Sequence, residues 1–309
     1  LAAVRRPRGA SSWGIEQDGI VVTSPALAGH EMRWGASAIG IARSSDDCAG
    51  APPWVLAAED TAPHPDASGT LQFGIDATFG IFADLHVTGE HGTAVQRLRW
   101  IEPGTFLMGS PANEPERAEH EGPQHLVTLT RGFWLGDTAC PQALWQAVTG
   151  KDPSHFKGAD RPVEQVSWDD VDAFLQQLEA LVPGCGADLP TEAEWEYACR
   201  AGTTTPFSFG ATITPEQVNY DGNHPYAGGE KGLYRQETVP VRNLPPNAWG
   251  LYEMHGNVWE WCADGLRDYD EGPAVDPRGA EDTEAHRAGR GGSWLDGAWW
   301  ARSAYRDAD

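Results

Sequence analysis

Thiols are the most reactive side chains in this sequence, because a cysteine thiolate can act as a nucleophile or hold a soft metal ion. The five cysteines are odd in number, widely spaced and free of any CxxC pair. That pattern disfavours a disulfide framework and a cysteine zinc site, and it favours reduced thiols in a cytoplasmic protein. Cys199 lies within a predicted helix and Cys262 within a tryptophan-rich predicted strand, where small buried thiols are ordinary.

A series of short motifs stands in one order between Arg97 and Arg306 and covers about two thirds of the chain. The motifs are GTFLMGS at 104–110, PVEQVSW at 162–168, LPTEAEWEYA at 189–198, NAWGLY at 247–252, GNVWEW at 256–261 and RGGSW at 290–294. In this order they resemble the formylglycine-generating-enzyme (sulfatase-modifying factor) superfamily, whose fold is C-type-lectin-like. Most of these residues form turns and core, so the motifs identify a fold rather than an activity.

The resemblance implies copper-dependent oxidation only where a reactive cysteine pair follows the Gly-Gly-Ser motif. No cysteine follows Cys262 in this sequence, and Cu(I) requires soft thiolates. We therefore predict no copper and no formylglycine-generating activity.

An enzymatic alternative remains, namely a metal-dependent oxidoreductase related to formylglycine-generating enzyme or to sulfoxide synthases, which use an HxxxH-type iron site. None of the ten histidines forms HxxxH. His120 and His125 are five residues apart, and His86 and His91 flank a predicted turn.

Calcium is the metal that the resemblance implies for the GNVWEW segment. The ligands carried over are the side chains of Glu253 and Glu260 and the carbonyls of Gly256 and Val258. Hard oxygen ligands at this spacing suit Ca²⁺ better than a transition metal. A shorter side chain is commoner in the family at the position of Glu253. The alternative is that Glu260 pairs with an arginine such as Arg290 and that no ion binds.

A second family calcium site would use the side chain of Asn219 and the carbonyl of Tyr220. The carboxylate that completes this site in the family has no recognisable counterpart in the sequence.

The end of the chain also resembles the variable region of diversity-generating-retroelement target proteins, which are C-type-lectin-like binders with exchangeable residues on a fixed framework. The framework candidates are 291–294 and 302–306. The candidate variable, ligand-binding positions are Leu295, Asp296, Gly297, Trp299, Trp300, Asp307 and Asp309. Adjacent tryptophans with flanking aspartates suit recognition, because they offer large rigid area at little entropic cost. The alternative is that both tryptophans are core; in a strand, only one of two adjacent side chains would face the core.

Three helices are predicted to position these motifs. The first runs from Pro141 to Val148, with Pro at its first helical position and Gly150 as its stop. Ser167 with Asp170, and Thr191 with Glu194, are predicted to cap the second and third helices. Beyond Gly202 the sequence favours long ordered loops and short strands. The expected fold is therefore an α+β, C-type-lectin-like domain with few regular elements.

Strands are predicted before the motif-bearing region and in its first part. Segments 82–87 and 94–100 alternate apolar and polar residues around Gly89-Glu90-His91-Gly92, which indicates a hairpin. Segments 106–110 and 125–130 are predicted as further strands. We assign 1–78 to an N-terminal extension of uncertain structure, with β-like segments at 19–22 and 37–41, and 79–309 to the C-type-lectin-like domain. The family continues beyond Arg306 with a closing strand, which we expect to be missing here.

Composition narrows the class of partner. The hydrophobic content of 40% and the 14 tryptophans support a globular core. A formal net charge of −23 argues against nucleic acid, because its phosphates would be repelled. No apolar run is long enough to span a membrane. Together with these exclusions, the resemblance to variable proteins implies a non-catalytic protein that uses its C-terminal surface to bind a protein or another macromolecule.

Overall fold

The computed structural model describes residues 71–279 and 286–308, and within residues 1–70 only the backbone of short strands. The strands are Ala3–Val4 (β1), Ser12–Glu16 (β2), Gly19–Thr23 (β3), Gly40–Ala42 (β4), Val55–Ala57 (β5), Gly69–Asp76 (β6), Gly80–Gly89 (β7), Gly92–Ile101 (β8), Gly104–Met108 (β9), His125–Leu129 (β10), Phe133–Gly136 (β11), Ala187–Asp188 (β12), Glu260–Gly265 (β13), Ala274–Val275 (β14), Arg287–Arg290 (β15) and Arg306–Ala308 (β16). The α-helices are Gln142–Thr149 (α1), Trp168–Leu181 (α2) and Glu192–Arg200 (α3).

The described strands form one large sheet and several small ones. The large sheet has the order β12-β1-β11-β8-β7-β6, and the smaller ones are β14-β10-β9, β13-β15-β16, β2-β3 and β4-β5. The predicted hairpin is confirmed, because β7 pairs with β8 in antiparallel register from Phe82 opposite Arg99 to Gly89 opposite Gly92. β6 pairs with β7 across the predicted boundary at 78/79. That domain division stays a prediction.

Helices α1 and α2 pack against the β7–β8 hairpin and form one hydrophobic core with it. Trp145 of α1 stacks on Phe174 of α2, with ring centroids 4.8 Å apart. Pro141 is the N-cap of α1 rather than its first residue, and Gly150 ends the helix in a left-handed conformation. The predicted capping box of α2 is confirmed: the Ser167 side chain accepts from the Asp170 backbone amide, and the Asp170 carboxylate accepts from the Ser167 amide.

Helix α3 lies in a second core, between β9–β10 and the C-terminal strands. Its predicted cap is also confirmed, since Thr191 and Glu194 make the reciprocal hydrogen bonds. Between Arg200 and Glu260 the described chain contains only a short 3₁₀ turn at Tyr226–Gly228, so the predicted long ordered loops are present. This mixture of small sheets, few helices and long loops is the expected α+β, C-type-lectin-like architecture. Among the described residues, no helix has the length and apolar character needed to cross a bilayer.

Candidate functional site

The C-terminal motifs form a short sheet followed by a compact loop. β15 lies between β13 and β16, with Arg290 opposite both Glu260 and Arg306. Between β15 and β16 the chain makes a 3₁₀ helix at Ala298–Ala301. The Gly256 amide donates to the Gly291 carbonyl at 2.7 Å, which joins the GNVWEW segment to the RGGSW segment.

Two arginines of this region attach the C-terminal sheet to helix α3. Arg306 donates from Nε and Nη2 to both carboxylate oxygens of Glu192, at 2.7 and 2.6 Å. Arg290 Nη2 donates to Glu196 at 2.5 Å, and Arg200 pairs with the same carboxylate. Burial alone would raise the pKa of Glu196, but the charges of Arg200 and Arg290 outweigh it and hold that pKa below its ordinary value. These side chains are buried, so their ion pairs anchor the framework.

Arg302 anchors the 3₁₀ helix to a distant segment of the chain. Its Nη1 donates to Glu114 at 2.7 Å and to Glu121 at 2.6 Å, and its Nη2 donates to Glu121 at 2.5 Å. Its remaining donors meet the carbonyls of Trp299 and Glu116. Every guanidinium nitrogen of this fully buried residue therefore has a protein acceptor.

His255 contacts the backbone of the same 3₁₀ helix but is not placed to activate a nucleophile. Its Nδ1 lies 2.6 Å from the Ala301 carbonyl, and its Nε2 accepts from the Ser208 amide. Burial lowers the pKa of His255 to about 4, so the imidazole is neutral near pH 7. The thiol of Cys199 is 3.7 Å from Nε2, but burial raises the pKa of that thiol to about 12. A neutral imidazole beside a protonated thiol is a structural contact.

Two of the predicted variable positions take part in the loop's own structure. Asp296 Oδ2 accepts from the Trp259 indole at 2.9 Å, and from the amide and hydroxyl of Ser293 at 2.9 and 2.6 Å. A Cβ on Gly297 would lie 2.4 Å from the Trp299 ring. Both residues therefore shape the loop, and their part in ligand binding stays a prediction.

Other predicted positions are accessible. Leu295 is 59% exposed, and Trp299 and Trp300 are both partly exposed. The two tryptophans lie in the 3₁₀ helix rather than in a strand, so neither is forced into the core. Trp299 contacts His224 edge-on, whereas Trp300 packs against Trp259 and Tyr305.

The remaining two positions lie on the last strand. Asp307 is exposed and pairs with Gly289 through the backbone of β16. Asp309 lies outside the described residues.

Aromatic residues from loops distant in sequence contact Trp294, which precedes the accessible residue Leu295. Tyr234 stacks on Trp294 with centroids 6.2 Å apart, and Phe156 meets the same ring edge-on at 5.3 Å. Leu233 beside them is 57% exposed. We call the set Phe156, Leu233, Tyr234, Trp294, Leu295, Trp299 and Trp300 the aromatic surface. Sequence reasoning placed Trp294 in the framework and missed the first three residues, because no signal in the C-terminal motif points to loops so distant in sequence.

The predicted calcium ligands lie in a buried acidic region. Glu260 Oε2 accepts from the Trp195 indole at 2.6 Å, while its Oε1 is buried without a hydrogen-bond partner in the described chain. The alternative ion pair with Arg290 is wrong, because Arg290 pairs with Glu196 and Glu192 instead.

Glu253 adds a second buried carboxylate. It accepts from the amides of Arg242 and Leu244 at 3.1 and 3.3 Å. Burial, and to a lesser degree the charge of Glu260, raise the pKa of Glu253 to about 7. Two neighbouring buried carboxylates, one with an unpaired oxygen, fit the donor chemistry of a hard cation.

The second predicted calcium position is occupied by a hydrogen-bond network. Asn219 Nδ2 donates to the Glu237 carbonyl at 2.9 Å and to Asn257 Oδ1 at 3.1 Å, and its Oδ1 is buried without a partner among the described residues. Tyr220 beside it is buried. No group of three or more His, Cys, Asp and Glu side chains is arranged around a metal position in the part of the chain that the structure describes.

Comparison with known proteins agrees with this architecture. Residues 86–309 match the profile of the sulfatase-modifying factor enzyme 1-like domain. Formylglycine-generating enzyme of Streptomyces coelicolor is 39% identical over 233 residues, which cover 71% of this chain and 65% of that protein. Inactive C-alpha-formylglycine-generating enzyme 2 of Mus musculus is 33% identical over 162 residues, which cover 51% and 46%. The matches therefore span less than two thirds of the length of these relatives.

A solved structure is similar over most of its own length. Variable protein 1 of Treponema denticola superposes with a TM-score of 0.58 at 26% identity, over 72% of this chain and 93% of that protein. The resemblance to a variable protein, which the C-terminal motif predicted, is thus present in three dimensions as well.

Proposed function

The chain belongs to the sulfatase-modifying factor enzyme 1-like (formylglycine-generating enzyme) family, and on this premise we propose that it is a non-catalytic ligand-binding protein. Its binding site is the aromatic surface, and its ligand is a protein or another macromolecule. The similarity to variable protein 1 of Treponema denticola supports this choice within a family that also contains enzymes.

The observation that carries the proposal is the separation of framework from surface. Arg290, Arg302 and Arg306 are buried in ion pairs, whereas Leu295 is exposed and Trp299 and Trp300 are partly exposed on the loop that these arginines hold. Large aromatic and aliphatic side chains on a rigid loop lose little entropy on binding, which suits protein recognition.

Substitution of the two tryptophans tests the site directly. Partners captured from the source organism by the wild-type protein are compared with those captured by Trp299→Ala/Trp300→Ala. The matched control is Leu107→Ala/Leu126→Ala, which removes two exposed apolar side chains from the β9–β10 sheet. We expect the tryptophan variant to lose the specific partner and the control to keep it. Affinities measured with the purified partner then quantify the loss, and equal affinity for all three proteins would contradict the proposal.

Sequencing of the gene's 3′ end across a natural population tests diversification separately. We expect substitutions at positions such as 295, 296, 297, 299 and 300, with 291–294 and 302–306 constant. A uniform sequence would weaken active diversification and would leave either a binder with one fixed ligand or a divergent enzyme, which metal analysis then distinguishes.

The enzymatic alternative is supported by the identity to formylglycine-generating enzymes, and metal analysis distinguishes it. Stoichiometric iron or copper in the purified protein would favour a metal-dependent oxidoreductase. Calcium alone, or no metal, would favour the binder.

We also propose that Glu253 and Glu260, with the carbonyls of Gly256 and Val258, hold a structural Ca²⁺ ion. The ion would supply positive charge to the unpaired Glu260 oxygen and to the Glu253 carboxylate. Because Gly256 is hydrogen-bonded to Gly291, the ion would stabilise the base of the loop that carries the aromatic surface.

A further inference from the structure

A second concave region lies apart from the aromatic surface. A cavity of about 300 Å³ opens between the β7–β8 hairpin and the loop at 242–252. It is lined by Asp76, Asp84, Val95, Arg97, Arg99, Asp137, Arg242 and Tyr252. None of these residues belongs to the aromatic surface or to the proposed calcium site. The volume lies at the small end of the range for small-molecule sites.

The cavity wall carries equal numbers of positive and negative side chains, and two of the pairs are complete. Arg97 donates to both oxygens of Asp84, at 2.7 and 2.8 Å. Arg242 donates to both oxygens of Asp137, at 3.0 and 2.8 Å. These bidentate pairs fix the carboxylates in place but leave each oxygen with a further lone pair. The wall is therefore rigid, polar and close to neutral.

Arg99 is the exception among these charged groups. Its side chain is only 3% exposed, and it makes one hydrogen bond, from Nη2 to Asp76 at 3.1 Å. Its Nε and Nη1 are buried and have no acceptor in the described chain. A buried guanidinium with unsatisfied donors is unfavourable unless something supplies the missing acceptors.

The surroundings of Arg99 hold its side chain in this position. The guanidinium carbon lies 5.2 Å from the centroid of the Phe79 ring and 5.8 Å from that of Phe82. Gly250, with φ of +76°, lets the backbone come close, since a Cβ there would be 3.0 Å from Arg99 Nε. The side chain is thus ordered before any ligand arrives, which lowers the entropic cost of binding.

We propose that this cavity binds a small zwitterion of amino-acid type. The charge of the buried Arg99 guanidinium at the cavity wall attracts the ligand's carboxylate, and the ligand's ammonium group donates to the partly exposed carboxylates of Asp76 and Asp84. Val95 and Tyr252 face the remainder of the ligand. A simple anion fits less well, because the wall is neutral overall and the chain's net charge of −23 repels negative ligands. A simple cation leaves Arg99 unsatisfied.

Calorimetric titration tests this assignment with the proteinogenic L-amino acids as probes. For the amino acid that binds most tightly, the desamino carboxylic acid and the decarboxylated amine serve as matched analogues. We expect saturable binding of the amino acid at millimolar or lower concentration, and at least about tenfold weaker binding of each analogue. Absence of saturable binding by every amino acid would overturn the proposal. Equal binding of the desamino acid would reduce the site to an anion site and would also overturn it.

Variants assign the binding to this cavity. Arg99→Gln is expected to lose carboxylate recognition, and Asp84→Asn is expected to weaken binding of the amino acid more than that of its desamino analogue. Arg161→Gln is the control, because Arg161 also pairs with a carboxylate, that of Glu237, but does not line the cavity. Circular dichroism establishes that each variant is folded. Should Arg99→Gln fail to fold, the selective effect of Asp84→Asn decides, and unchanged affinity in a folded variant at either position would refute the site.

Discussion

Arg302 and Arg99 are both buried arginines, yet they stand in regions that differ in how well their charges are satisfied. Every nitrogen of Arg302 meets a protein acceptor, so the residue attaches the aromatic surface to Glu114 and Glu121. Arg99 uses one nitrogen and leaves two buried without an acceptor in the described residues. The comparison teaches that buried charge has two uses. The satisfied network of Arg302 holds the loop that carries the aromatic surface, while the incomplete one at Arg99 is the basis of the ligand proposal.

The largest loss of stability is expected at Arg302, whose hydrogen-bond network is complete. Replacing Arg302 with Met leaves Glu114 and Glu121 buried without their counter-ion, so the free energy of unfolding should fall by about 3–5 kcal/mol. Urea denaturation measures this change. Lys157→Met is the control, because the exposed pair of Lys157 with Asp152 should contribute less than about 1 kcal/mol. Equal losses in the two variants would show that the buried network is not an anchor.

Like Arg99, Glu260 has a buried polar atom without a hydrogen-bond partner in the described residues. We expect a bound calcium ion to interact with this oxygen. Saturating Ca²⁺ at about one hundred times its dissociation constant should add about 2.7 kcal/mol to the free energy of unfolding. Thermal denaturation with calcium and with a chelator measures the difference. Glu260→Gln should abolish the response, whereas Glu102→Gln, which changes an exposed carboxylate, should keep it. If calcium does not change the thermal stability of the wild-type protein, the proposed calcium site is wrong.

Two adjacent predicted ligand positions should separate into different roles. Asp296→Ala removes the acceptor of three hydrogen bonds, so it should destabilise the protein by about 1.5–3 kcal/mol. Leu295→Ala removes an exposed side chain and should change stability by less than about 0.5 kcal/mol while weakening ligand binding. Denaturation curves and affinities for the captured partner, measured on both variants, provide the test. The described loop would be contradicted if Leu295→Ala destabilised the protein while Asp296→Ala left its stability unchanged.

Of the two buried arginines, Arg99 is expected to contribute little to stability. Arg99→Met removes one hydrogen bond to the partly exposed Asp76 and eliminates unsatisfied buried donors, so the loss should be about 1 kcal/mol or less. The same urea experiment measures it beside Arg302→Met. A loss as large as that of Arg302→Met would mean that Arg99 is a structural anchor, and the distinction between the two regions would fail.

Local features of the fold were predictable because their causes are local. The capping boxes at Ser167 and Thr191 and the turn after Gly89 depend on residues within one turn of chain, and each lies where the sequence indicates. Pro141 was placed one residue too far into α1, since the fixed φ of proline suits both the cap and the first turn. The ordered motifs identified the family and therefore the α+β fold.

The site could be predicted only in part. Of the residues in the C-terminal motif, Arg302 and Arg306 are buried and Leu295 is exposed, but Trp294, which the motif assigns to the framework, lies in the aromatic surface. The motif could not indicate that Asp296 closes its own loop, or that Trp299 and Trp300 lie in a 3₁₀ helix, because hydrogen bonds to Trp259 and the neighbouring loops decide both.

The sequence by itself determined the family, the helix caps, the hairpin and the loss of the cysteine pair, all of which follow from residue types at short spacing. Only the tertiary structure decided which acid meets which arginine. Glu121 and Arg302 are separated by 181 residues, and Arg99 meets the cavity wall formed by Asp137 and Arg242 only after the chain has folded. The sequence specifies which side chains are charged. Whether each charged group finds a hydrogen-bond partner depends on which distant residues are brought close to it by packing.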